Sequence, residues 1–198
     1  MPTADELRQA GELYDQREPR GVVYRACLEL LELAAHGKTR ISPAEALVVF
    51  LQSWNARYYV SQYHGRFPHE HFAALEELIT RDDRELAEYR ARPLEGLVPE
   101  DAEPVRALFA EFEALLGPVG AAKALHLLAP RFFPLWDRTI AAKSGYRIGQ
   151  AGTNAPVYWQ FTENTRNACV ALGGEAKCGE RLLKQLDELN YCRTQGWM

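Results

Sequence analysis

Apolar residues recur along most of this sequence with the period of an α-helix. Two stripes follow that period, Val22, Ala26, Leu30 and Leu33 in the first and Leu47, Phe50, Leu51, Trp54 and Tyr58 in the second. Residues at positions i, i+3, i+4 and i+7 share one face of a helix. No stretch alternates apolar and polar residues for long enough to indicate a β-strand. The sequence therefore predicts an all-α protein.

Capping residues, prolines and glycines between these stripes predict where helices begin and where they are interrupted. Ser42-Pro43-Ala44-Glu45 combines an N-cap, a proline at the first helical position and a capping-box glutamate, so a helix is expected from about 43 to about 62. Residues 92–99 contain two prolines and a glycine, which are costly inside a helix. We interpret the chain, 1–198, as a single helical domain in which this connector separates two lobes, about 1–95 and 96–198.

Composition narrows the range of functions. No apolar run approaches the roughly 20 residues that cross a bilayer, and the first ten residues lack the apolar stretch of a secretory signal, so we expect no membrane and a cytoplasmic location. The net charge of −4 argues against coating nucleic acid by charge alone. Four cysteines without a C-x-x-C pair predict reduced thiols and no metal site, with a Cys178–Cys192 disulfide as the alternative in an oxidising compartment.

The segment from Leu115 to Ile140 carries the functional signal. Gly117-Pro118-Val119-Gly120 separates two helical stretches, and exposed backbone amides in such a turn can hold a phosphate oxygen, although the same pattern also fits a plain helix connection. An aromatic turn, 132–136, then delivers Asp137 at the start of another helix. Apolar rings disfavour the charged carboxylate and a helix start favours it, which is typical of catalytic acids and also compatible with an N-cap.

The order of helix, glycine turn, second helix and then Asp137-Arg138-Thr139-Ile140 resembles the helix-hairpin-helix DNA glycosylases of the endonuclease III superfamily. That family has an apolar-Pro-Gly-apolar-Gly hairpin, followed by Asp-x-x-Val/Ile. The resemblance covers about residues 40 to 190 and implies two helical lobes with a lesion pocket between them. It also implies a DNA repair N-glycosylase that excises a damaged base through a flipped nucleotide, with AP-lyase activity in some members.

Carried over residue by residue, the resemblance makes Asp137 the essential carboxylate. It makes Lys123 the candidate nucleophile, although this lysine lies one residue beyond the family position, which Ala122 occupies here, and one residue on a helix is a turn of about 100°. Gly117, Val119 and Gly120 correspond to the hairpin that grips the DNA backbone. Arg138 is expected to join them, as part of a basic strip with Arg131, Lys143 and Arg147.

Aromatic and amide side chains around these positions are candidates for contacting the extruded base. Trp54, Asn55 and Tyr58 combine ring faces with an amide, the features that stack and read a flipped base. His126 and Trp136 are expected to line the same pocket. Aromatic residues at helical spacing also occur in ordinary cores, and this interpretation remains the alternative.

The expected partner is duplex DNA with a damaged base, bound by a monomer without a cofactor, although the hairpin could hold a monovalent cation. Two other hypotheses come from the same residues. One is a non-catalytic helical module that binds nucleic acid or protein through the hairpin. The other is a nucleoside or nucleotide N-glycosidase of the same fold, which the negative net charge would suit better than DNA binding.

Overall fold

Over residues 2–64 and 68–198, which the computed structural model describes, the chain forms eleven α-helices and no strand. The all-α prediction is confirmed. The helices are α1 (Ala4–Arg17), α2 (Gly21–Ala35), α3 (Pro43–Trp54), α4 (Ala56–Tyr63), α5 (His69–Arg81), α6 (Asp83–Arg90), α7 (Ala102–Leu128), α8 (Arg138–Lys143), α9 (Ala155–Leu172), α10 (Glu175–Cys178) and α11 (Leu182–Gln195). Two 3₁₀ turns, Leu94–Gly96 and Pro99–Asp101, occupy the predicted connector and the two residues after it.

The predicted capping box begins α3. The Glu45 amide donates to the Ser42 hydroxyl (3.3 Å) and the Ser42 amide donates to the Glu45 carboxylate (2.7 Å), which satisfies two otherwise unpaired donors. The predicted end of this helix was wrong. Asn55 leaves the helical region (φ −130°, ψ 27°), so that α3 ends at Trp54 and α4 begins at Ala56.

The buried face of α2 also differs from its predicted stripe. Val22 is 57% exposed, whereas Tyr24 and Cys27 are buried and pack in the core. Apolar spacing located the helix correctly but not its orientation, because two rows of apolar residues compete on it. Tyr24 is the member of the buried row that reaches the candidate site.

Both consecutive helices and helices distant in sequence are neighbours in the core. α1 packs along α11, α2 along α3, and α7 along α9. Their buried apolar side chains form one cluster that runs from Leu7 to Cys192. The connector is held by a hydrogen bond from the Leu94 amide to the Arg131 carbonyl (2.9 Å). The division into two lobes stays a prediction.

α7 is broken at Gly117. This residue has φ 67° and ψ 169°, a backbone region that essentially only glycine adopts. Pro118 follows at the start of the second helical segment, where its missing N–H costs nothing. The predicted glycine turn over 117–120 is therefore reduced to one non-helical residue, and Val119 and Gly120 already lie within the helix.

Across the two described ranges, none of the helices combines the length and the apolarity needed to cross a membrane.

Candidate active site

Lys123 lies in the second segment of α7 with its side chain directed toward the end of α3. Its residue is only 9% exposed, and its ammonium group donates a hydrogen bond to the Trp54 carbonyl. Carbonyls in the last turn of a helix lack intrahelical partners, so the amine satisfies an acceptor that α3 leaves open. The same amine lies 5.6 Å from the centroid of the Trp54 ring. Lys123 is thus a buried lysine with a fixed position.

The surroundings of Lys123 make its neutral form more populated than that of a solvated lysine. Desolvation by burial is the largest effect and lowers the pKa of Lys123 to about 8, against a raising effect of the Asp137 and Asp187 carboxylates. The charges of Arg20 and Lys184 lower it further. With a pKa near 8, roughly a quarter of the amine is unprotonated at pH 7.5. An unprotonated amine is a nucleophile.

Asp137 is the N-cap of α8. Its Oδ1 accepts a hydrogen bond from the Ile140 amide (2.7 Å), and the residue is half-buried. The N-cap interpretation is confirmed, and the placement at a helix start agrees with the position expected from the sequence. Because its carboxylate also acts on the Lys123 ammonium group, capping and an electrostatic role at Lys123 coexist in one side chain.

Trp54 is the common neighbour of three cationic groups. The Arg20 guanidinium lies 5.5 Å from its ring centroid, and the amines of Lys123 and Lys184 lie 5.6 and 5.3 Å away. The indole N–H donates to the Arg20 carbonyl (3.2 Å), which fixes the ring orientation. Cations near the indole ring are attracted by its quadrupole. We call Trp54 and these three cations the Trp54 cluster.

Arg20 forms the solvent-facing part of the Trp54 cluster. Its side chain is 46% exposed and is held by a bidentate ion pair with Glu18 (2.8 and 2.7 Å). Tyr191 also donates to Glu18 (2.6 Å). The hydrogen bonds from Arg20, followed by the one from Tyr191, lower the pKa of Glu18 to about 2. Glu18 therefore stays ionised and keeps Arg20 in place.

Asn55 and Tyr58 support the break in α7. Tyr58 donates from its hydroxyl to the Leu115 carbonyl (2.9 Å), and the Asn55 amide donates to the Leu116 carbonyl (3.4 Å). In this conformation both polar groups are used by the protein itself. Trp136 likewise donates its indole N–H to the Pro118 carbonyl (3.0 Å). Three carbonyls around Gly117 thus have side-chain partners, and a monovalent cation there stays a prediction.

His126 and Trp136 are buried in the core. His126 shares one hydrogen bond with the Tyr24 hydroxyl (2.9 Å) and another with the Phe133 carbonyl (2.8 Å). Burial lowers the pKa of His126 to about 4, so the ring is neutral near pH 7. Neither ring reaches solvent in this conformation. The two residues hold the chain between Lys123 and Asp137.

The predicted basic strip is largely engaged by the protein's own acceptors. Arg138 is exposed and donates to the Ile148 carbonyl (3.1 Å), and Lys143 donates to the Arg193 carbonyl (2.8 Å). Arg131 pairs with Glu175 (2.6 Å). Arg147 is exposed. The strip is therefore less of a free cationic surface than the sequence suggested.

Sequence reasoning missed the contributions of Arg20, Lys184 and Asp187. Lys184 is buried on α11 and pairs with Asp187 (2.7 Å). A signal was present, because Lys184 lies within the apolar run Leu182, Leu183, Leu186 and Leu189. A charge at such a position requires a partner. No feature of the sequence indicated that the partner pair would face Trp54.

Within residues 2–64 and 68–198, no three His, Cys, Asp or Glu side chains gather as a metal site would require. Comparison of the chain with protein-family models, with curated proteins and with solved structures finds no match.

Proposed function

We propose that this protein is a DNA repair N-glycosylase that excises a damaged base from duplex DNA. The observation that carries the proposal is the buried amine of Lys123, fixed at the Trp54 carbonyl and within the electrostatic field of Asp137. A buried amine that is partly unprotonated is suited to attack on a sugar carbon. Lys123 and Asp137 are the two residues that we assign to the chemistry.

The reaction begins with the neutral form of Lys123. Its nitrogen lone pair forms a bond to the sugar C1′, while the C1′–N bond to the damaged base breaks and its electron pair leaves with the base, which takes up a proton from water. The C1′–O4′ bond then breaks with its electron pair on O4′, which takes up the proton lost from the new ammonium, and the nitrogen lone pair forms the C=N bond of a protonated Schiff base. Water hydrolyses the Schiff base and restores the amine. Elimination of the 3′-phosphate before hydrolysis would constitute the lyase activity.

Asp137 stabilises the positive charge that develops on the sugar as the base leaves. Its fixed position at the start of α8 supports this role, since a carboxylate held by a backbone amide needs little reorganisation during the reaction. The same carboxylate would promote direct attack by water if Lys123 remained protonated. Asp137 is accordingly required for base release by either route.

DNA would be held by the start of the second α7 segment. Backbone amides in the first turn of a helix have no intrahelical partner and favour a phosphate group. Val119, which is half-buried, supplies such an amide, Gly120 next to it is buried, and Arg138 is the exposed cation at the start of α8. Trp54, with Arg20 at its solvent side, is the ring that we assign to the wall of the base pocket.

A second candidate function, hydrolysis of a free nucleoside or nucleotide by the same residues, is favoured by the charge distribution. The net charge is −4, and Arg131 and Lys143 are engaged within the protein. Duplex binding normally uses several phosphate contacts from free cations. A small substrate would need only the Trp54 cluster.

The test uses purified protein and duplexes carrying single oxidised, deaminated or alkylated bases. We expect base release from at least one duplex, loss of at least 100-fold of that rate in Asp137→Asn, and borohydride trapping of a covalent adduct that Lys123→Gln abolishes. Lys38→Gln removes an exposed lysine and serves as the matched control.

Each other outcome contradicts a stated part of the proposal. An adduct that persists in Lys123→Gln removes Lys123 from the mechanism. Duplex binding without base release across the panel would indicate a non-catalytic binding module. Nucleoside hydrolysis without affinity for duplex DNA would establish the second candidate function.

A further inference from the structure

We propose that Lys184 and Asp187 act as positioning residues for the Lys123 amine, through the electrostatic field that their buried ion pair produces at the Trp54 ring. The inference rests on the proposed function, because the charge of Lys123 matters for catalysis only if Lys123 is the nucleophile. It assigns a role to α11, a helix that the sequence did not connect with the site.

The ion pair is buried and well defined. The side chains of Lys184 and Asp187 are 3% and 10% exposed, and their charged atoms are 2.7 Å apart. Glu188 lies 3.8 Å from the same amine and also pairs with Arg181. Charges removed from water interact over longer distances than surface charges, because the surrounding dielectric constant is lower.

The pair and Lys123 lie near the same aromatic ring. The Lys184 amine lies 5.3 Å from the Trp54 centroid and the Lys123 amine 5.6 Å from it, so the two nitrogens are no more than about 11 Å apart. The Lys184 amine also lies 4.3 Å from the Tyr14 ring and 5.1 Å from the Tyr24 ring. Three rings therefore restrict its movement.

Charged groups from three elements act on Lys123. Asp137 at the start of α8 and Asp187 on α11 favour the protonated amine, whereas Arg20 at the start of α2 and Lys184 on α11 favour the neutral amine. The two members of the α11 pair thus have opposite effects. Removal of either member should change the charge of Lys123 in a predictable direction.

The direct test is an NMR titration of the free protein labelled with ¹³C at the lysine ε-carbons. The chain has five lysines, and Lys123→Arg identifies the resonance of Lys123. We expect a midpoint near pH 8 in the natural protein. Lys184→Met should raise the midpoint by roughly 0.5 to 1 pH unit, since Asp187 is then unneutralised, and Asp187→Asn should lower it by a similar amount.

Opposite shifts distinguish an electrostatic role from a structural one, because loosened packing would move both midpoints toward the value of a solvated lysine. Unchanged midpoints, or shifts of the same sign, would overturn the proposal. Lys184→Arg keeps the charge, should titrate like the natural protein, and covers the case in which Lys184→Met does not fold. Lys38→Met is the surface control.

The titration needs no substrate, and its outcome is therefore separate from that of the base-release assay. Opposite shifts without any base release would retain the electrostatic coupling and refute the glycosylase function. Base release with a pH profile that neither substitution changes would retain the glycosylase function and refute the electrostatic coupling.

Discussion

The Tyr58 hydroxyl donates a hydrogen bond of 2.9 Å to the main-chain carbonyl of Leu115, two residues before the non-helical Gly117. The first segment of α7 ends at that point, and its last carbonyls cannot find partners further along the helix. The Tyr58 hydroxyl, from α4, is the partner of one of these carbonyls. The break in α7 is therefore stabilised by a helix that lies more than fifty residues earlier in the sequence.

Replacing Tyr58 with phenylalanine removes this hydrogen bond and keeps the ring. We expect the free energy of unfolding to fall by about 1 kcal/mol, the usual net value of such a bond, measured by urea denaturation. Tyr146→Phe, which removes an exposed hydroxyl that donates to the Gln160 carbonyl (3.3 Å) and accepts from the Asn164 side-chain amide, should cost less. Equal losses in the two variants would contradict a special role for Tyr58.

Alanine at Gly117 should destabilise the protein for two separate reasons. The added Cβ would lie 2.9 Å from the Tyr58 ring, and φ is 67°. At Gly179, φ is 82° and ψ is 171°, close to the values at Gly117, and the space around a Cβ is open. We expect Gly117→Ala to lower the free energy of unfolding by roughly 2–4 kcal/mol and Gly179→Ala by roughly 1–2 kcal/mol. The difference between the two, measured in urea, reports the contact with Tyr58.

Glu113 is 1% exposed and binds Asn154 through both carboxylate oxygens, which accept from the Asn154 backbone amide and side-chain amide. Asn154 in turn accepts from the Gly149 amide (2.6 Å). Glu113→Ala would leave buried donors unpaired, and we expect a loss of about 2–4 kcal/mol with faster hydrogen exchange at Gly149 and Asn154. Glu111→Ala removes a half-exposed carboxylate of the same helix and should cost less than about 1 kcal/mol.

His126 should make stability depend on pH. Burial lowers its pKa from 6.5 to about 4, so the folded state binds fewer protons than the unfolded state between these values. Stability is therefore full above about pH 6.5 and declines as the pH falls toward 4, by roughly 2 kcal/mol between pH 7 and pH 5. Urea denaturation at both pH values should give this slope in the natural protein and a flatter one in His126→Gln. An unchanged slope would assign the effect to other groups.

Local sequence patterns predicted the helices more accurately than they predicted the contacts between helices. The capping box at Ser42 and the helix start at Asp137 depend on neighbouring residues alone, and both are present. At the end of α3, Asn55 donates to the Leu116 carbonyl, a partner 61 positions away. Such an interaction has no local signal.

The candidate site divides in the same way. Lys123 and Asp137 were singled out by a family resemblance carried by one continuous segment. Trp54 was chosen for its ring, but its neighbours Arg20 and Lys184 come from helices whose packing the sequence did not reveal. His126 and Trp136 were predicted to line a pocket, whereas burial and satisfied hydrogen bonds place them in the core. Apolar periodicity cannot separate a core ring from a pocket ring.

The residues of the Trp54 cluster lie between positions 20 and 184 of the sequence. This separation determines when the cluster can form during synthesis of the chain. A nascent chain emerging from the ribosome contains Lys123 and Asp137 long before Lys184 follows. During that interval the lysine lacks the α11 charges, and α1 lacks the helix against which it packs. Synthesis is therefore completed through α11 before the amine acquires its final environment.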